Sequence, residues 1–193
     1  MYLRHATAIA AAALSILVTV LPSAAAGDTP ENARNATAIY NDPAAALTAG
    51  YELLTDGGGL ACIDQSGSGG MGVHLVKGAL VQSGTLDAAR PQALVYQVQP
   101  NGELRLVALE YVVFQSAWDS GHSGPPTLFG QKFMLNSADN RFGLPAFYAL
   151  HAWVWGSNPS GTFEPWNPQV HCDSGAPNAA ETDECPEQAM DGM

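Results

Sequence analysis

The decisive stretch is Leu104-Arg105-Leu106-Val107-Ala108-Leu109-Glu110-Tyr111-Val112-Val113-Phe114. Its β-branched and aromatic residues favour an extended chain. Strict alternation assigns Leu104, Leu106, Ala108, Glu110, Val112 and Phe114 to one face, and Arg105, Val107, Leu109, Tyr111 and Val113 to the other. Glu110 is then the sole ionisable group on an apolar face. A buried carboxylate without a partner costs several kcal/mol, on the order of 2–7 even for a neutral polar group, unless it takes up a proton. Glu110 therefore calls for a cation, a histidine or a metal.

Further strands flank this one. Leu94–Gln99 ends at the turn signal Pro100-Asn101-Gly102, which makes a hairpin with Leu104–Phe114. Val73–Val76, Leu128–Leu135 and Ala146–Trp155 complete the set. No βαβ alternation is visible. The predicted class is mainly β (α+β), an antiparallel barrel or sandwich with N-terminal helices packed beside it. The helices are expected within residues 27–54. Thr29 can cap before Pro30, Asp42 before Pro43, and Gly50 can stop the second helix. Asp56–Gly72 reads as a glycine-rich loop interrupted by Cys62, without the spacing of a phosphate-binding loop.

The ends of the chain differ from its middle. Arg4 and His5, an apolar stretch from Ala6 to Leu21, and small residues to Ala26 have the three parts of a secretory signal peptide. The apolar stretch is shorter than the roughly 20 residues that span a bilayer. The expected organisation is a signal peptide over 1–26, a helical segment over 27–60, a β-rich core over 61–172 and an acidic disordered tail over 173–193. A secreted or periplasmic location follows, with no stable membrane insertion after cleavage. The net charge is -11, from 7 basic and 18 acidic residues, which disfavours binding to nucleic acid. In an oxidising compartment Cys62 and Cys172, which bracket the patterned region, are expected to pair, with Cys185 left over.

Two histidines on strands can answer Glu110. His151 lies in the alternating row Phe147, Ala149, His151, Trp153, Trp155, and His74 stands where the glycine-rich loop enters the first strand. His74, Glu110 and His151 form a candidate metal triad with open positions for a divalent transition metal. The alternative is a hydrogen-bonded Glu110–His151 pair with His74 supporting the loop. No HExxH and no closely spaced Cys/His set is present. Tyr96, Gln131 and Trp153 are candidate ligand-binding residues, with Tyr111 in the same interior. Trp153, Trp155 and Trp166 suit either a flat ligand or a core. His122, in Asp119–Gly124, belongs to a surface loop, and no nucleophile elbow accompanies it.

The chain resembles a family of exported bacterial hypothetical proteins that carries no assigned activity. The likeness runs from Ala33 to Cys172. It rests on Gly70-Met71-Gly72-Val73-His74, Leu109-Glu110-Tyr111, Leu128-Phe129-Gly130-Gln131 and Leu150-His151-Ala152-Trp153-Val154-Trp155. Asn158-Pro159-Ser160-Gly161 and Trp166-Asn167-Pro168-Gln169-Val170 before Cys172 close the pattern. The resemblance implies a shared fold and export, and lends no reaction. The functional expectation is a small ligand or metal ion bound in a β-rich core. A metal-dependent enzyme at the same triad and a structural or interaction protein without an internal site are the alternatives; the oligomeric state stays open.

Overall fold

A computed structural model describes residues 28–172. The signal-peptide, acidic-tail and Cys185 expectations lie outside the described residues. Nine strands follow in chain order: β1 Glu52–Leu53, β2 Cys62–Gln65, β3 Gly69–Val76, β4 Ala93–Val98, β5 Leu104–Phe114, β6 Thr127–Leu128, β7 Gln131–Lys132, β8 Met134–Asn136 and β9 Phe147–Ala152. Seven of them form one antiparallel sheet with the path β1-β3-β4-β5-β9-β8, β2 pairing with β3 beyond the end of β1; β6 and β7 form a separate ribbon. The expected mainly β, antiparallel class holds, and among the described residues the sheet does not close into a barrel.

The N-terminal segment begins as its caps dictate. Thr29 accepts from the Asn32 N–H ahead of α1 (Pro30–Ala36), and Asp42 accepts from the Ala44 N–H ahead of α2 (Pro43–Thr48). Helix stops at Ala49, however, and Glu52–Leu53 pairs with β3 as β1 rather than extending the helical segment. Ala33 and Ala46 of these helices are buried against one sheet face, with Tyr96, Leu94, Leu109 and Tyr111. The tyrosines reach out of this core to main-chain acceptors: Tyr96 donates to Tyr40, Tyr51 to Pro91 and Tyr111 to Ala88, each at 2.8 Å. Each buried hydroxyl is thus satisfied.

The opposite face carries the candidate triad, and its phase differs from strict alternation. Val95 pairs with Ala108, but the next residue, Tyr96, pairs with Leu106, so Val107 is an extra residue in β5. Leu106 therefore lies with Leu109, Tyr111 and Val113 on the helix-covered face, whereas Ala108, Glu110, Val112 and Phe114 lie on the other. The single-face reading of Leu104–Phe114 is correct only beyond the bulge. The backbone released there is reused: the Val107 carbonyl accepts from the N–H groups of Trp155 and Gly156.

The glycine-rich stretch is more ordered than composition suggests. Cys62–Gln65 is a strand, and β3 starts at Gly69 rather than Val73. Gly69 and Gly70 lie against Asn167 and Val170, where a Cβ would come within 3 Å of backbone atoms, so only glycine admits that approach. Gly70 and Asn167 exchange both backbone hydrogen bonds at 3.0 Å. The expected Cys62–Cys172 disulfide is formed beside them and closes a separation of 110 residues.

Candidate metal centre

Three strands each supply one donor to the same face. His74 on β3 pairs with Val95 of β4, and Glu110 on β5 pairs with Ala93 of β4 and His151 of β9. Val95 stands opposite His74 and Ala93 opposite Glu110, so these two β4 side chains share the diagonal between the donors. Ala93 is small and completely buried, which leaves room beside the Glu110 side chain.

The resulting distances discriminate between two kinds of contact. His74 Nε2 lies 3.5 Å from His151 Nε2 and 3.5 Å from Glu110 Oε2; His151 Nδ1 lies 3.8 Å from Glu110 Oε1. Good hydrogen bonds to nitrogen span about 2.7–3.2 Å, so these contacts are at or past the limit. Donors about 2.0–2.1 Å from a tetrahedral ion are separated from each other by about 3.3 Å. One donor atom from each residue fits within 4.8 Å of the other two. The short contacts run through both nitrogens of His151 and both oxygens of Glu110, so a shared ion would draw one atom of each residue inward from this 4.8 Å grouping.

Burial sets the electrostatics. Side-chain exposure is 3% for His74, 5% for His151 and 12% for Glu110. Desolvation pushes the Glu110 carboxyl up to about 8. It pushes His74 down to about 4, against a smaller opposing effect of the Gly72 backbone. His151 falls to about 3, through desolvation and then the neighbouring His74. Without a cation the site at neutral pH is therefore a protonated acid and two neutral imidazoles. The imidazoles are in the form that ligates metals. His74 Nδ1 is buried with no partner of hydrogen-bond geometry.

Above the triad lies a cavity of about 560 Å³. His74, Glu110 and His151 line it together with Val112, Phe114, Phe147 and Ala149 of the same sheet face. Its far side comes from α3 (Gly78–Gln82), from Phe142 and Leu144, and from the segment Phe163–Trp166. A donor set opening onto an apolar cavity can hold an ion with one coordination position free for water or a ligand.

The other sequence candidates separate. Gln131 and Trp166 line the cavity. Trp153 is buried beside His151, rings 6.5 Å apart, and donates to the Glu164 carbonyl, which supports the wall. Tyr96 does not join the site: it pairs with Val73 and Leu106 on the helix-covered face, and its hydroxyl is held by Tyr40. Tyr111 shares that face. Trp155 leaves the row of His151 because β9 ends at Ala152; its Nε1 donates to Thr37 Oγ1 and Arg34 stacks on it. His122 is exposed and stacked on Trp118. Sequence reasoning missed the cavity walls Phe142, Leu144 and α3, which sit in segments without strand periodicity. In comparisons with known proteins, no family model, no curated protein and no solved structure matches this chain.

Proposed function

We propose that this protein binds one divalent transition metal ion through His74, Glu110 and His151, in an exported location, and presents it to the cavity above. The clustering of the donors carries the reading: two imidazoles and a carboxylate from separate strands each bring one ligand atom within 4.8 Å of the other two, and their closest contacts exceed good hydrogen-bond lengths. Two imidazoles and a carboxylate suit zinc with a free fourth position. The Cys62–Cys172 bridge supports an oxidising compartment, and no helix among the described residues is long and apolar enough to cross a membrane. The likeness to exported bacterial proteins belongs to the same proposal.

The test is elemental analysis of protein stripped with a chelator and reloaded with zinc. The expected result is about one zinc per chain, as for a single three-ligand site. Glu110→Gln and His151→Ala should lower it to near zero while circular dichroism stays native. A wild-type ratio near zero after loading overturns the reading.

A second reading is a metal-dependent enzyme, favoured by the cavity that meets the free coordination position. A bound zinc would lower the pKa of its water or polarise a substrate oxygen. Glu110 and the histidines would serve as ligands in that case, and the cavity walls would orient the substrate.

A further inference from the structure

We infer that the cavity accepts a small amphiphilic carboxylate, its head on the metal and its apolar body against Val112, Phe114, Phe147 and Phe142. This inference rests on the proposed metal site and goes further by naming the ligand class.

Shape and charge together select that class. The cavity, at about 560 Å³, falls within the range of small-molecule sites, roughly 300–1,000 Å³. Its body is apolar, so a wholly polar ligand would lose its water without replacing it. Its charge pattern is asymmetric. The charged side chains of the lining are Lys132, Glu164 and the triad's Glu110. Lys132 and Glu164 are exposed, so water and salt screen their charges. At the floor a divalent ion and one carboxylate leave a net single positive charge in an apolar surrounding. A neutral ligand would leave that charge uncompensated, whereas one anionic oxygen donor compensates it and fills the open position. A dianion would overshoot. The head-to-tail polarity of the cavity thus matches a monoanion with a hydrocarbon body.

The probes are decanoate, decanol and acetate, titrated calorimetrically into the full mature chain after its zinc content is measured. Decanoate should bind the zinc-loaded protein at least about tenfold more tightly than decanol, which shares the tail, or acetate, which shares the head. The decanoate advantage over decanol should vanish in metal-free protein. Val112→Phe fills the cavity from a part-exposed position that supplies no metal donor; it should keep about one zinc and weaken decanoate about tenfold or more. Zinc bound with decanoate no tighter than decanol overturns this inference and leaves the metal site standing. Decanoate affinity unchanged by Val112→Phe places the ligand elsewhere and overturns it too. Absence of zinc overturns both.

Discussion

At the level of single residues, Glu110 and the two histidines make stability a function of pH in a distinctive way. Glu110 keeps its proton in the folded chain up to about pH 8 and loses it near 4.5 when unfolded. Each histidine takes a proton near 6.5 when unfolded but stays neutral in the fold down to about 4 or 3. Between pH 6.5 and 8 the folded state therefore holds more protons, and stability falls as pH rises. One proton corresponds to about 1.4 kcal/mol per pH unit, so the fall is on the order of 1–2 kcal/mol. Below 6.5 the unfolded chain gains two imidazole protons against the one carboxyl proton, and stability falls with decreasing pH. Urea denaturation of metal-free protein should show these three groups placing a maximum near pH 6.5, with the loss towards pH 8 absent from Glu110→Gln. A wild-type midpoint that climbs relative to Glu110→Gln over that interval contradicts the assignment. Zinc binding must expel the Glu110 proton, so affinity should rise about tenfold per pH unit up to about 8 and then level off. Ala93→Leu is expected to crowd its cross-strand partner Glu110, weakening zinc by about tenfold or more in a competition titration.

At the level of elements, Glu110 and His151 were legible because each lies in a run of alternating residues, whereas His74 was marked by its place where the glycine-rich loop enters β3. Glu110 and His151 are directly paired, and both strands keep their phase from Ala108 to Phe114 and from Phe147 to Ala152. Tyr96 falls outside the cavity because a face can be read along one strand but not across to its neighbour, and the Val107 bulge shifts that relation between β4 and β5. The bulge has no signature in Leu104–Phe114, since Val107 is as apolar as its neighbours. β2 and the start of β3 were hidden by glycines that normally weaken strands and here admit a second backbone. The short helices α3 and α4 (Gln115–Asp119) have no side-chain cap bond, so nothing local announced them. Gly72 gives this scale its test. It has φ +95°, and a Cβ there would sit 2.5 Å from the Tyr96 carbonyl oxygen. Gly72→Ala should destabilise the fold by about 1–3 kcal/mol in urea and lower zinc affinity, because β3 must shift two residues from His74. A variant as stable as wild type would contradict the close approach.

For the whole molecule, the Cys62–Cys172 bridge ties the last described residue to the second strand of the sheet. The chain it anchors includes Phe163–Trp166, a wall of the cavity, and Asn167, which is locked to Gly70. Removing both cysteines as Cys62→Ser/Cys172→Ser should cost about 2–5 kcal/mol in denaturant unfolding. Zinc stoichiometry should survive where the fold does, since no donor lies in the tethered segment. Accelerated amide exchange confined to residues 156–172 is the expected local signature. Uniform exchange across the sheet would instead make the bridge a global clamp.

The two imidazoles that meet across the sheet are 77 positions apart along the chain, with the carboxylate between them on a third strand. No fragment short enough to emerge alone carries two donors at chelating distance. A nascent or threaded polypeptide lacks the assembled donor set, and the proposed site would exist only once β3, β4, β5 and β9 are zipped together. If the proposed ion is bound, its identity would be set by the medium in which the sheet assembles, and not by the medium in which the chain was synthesised.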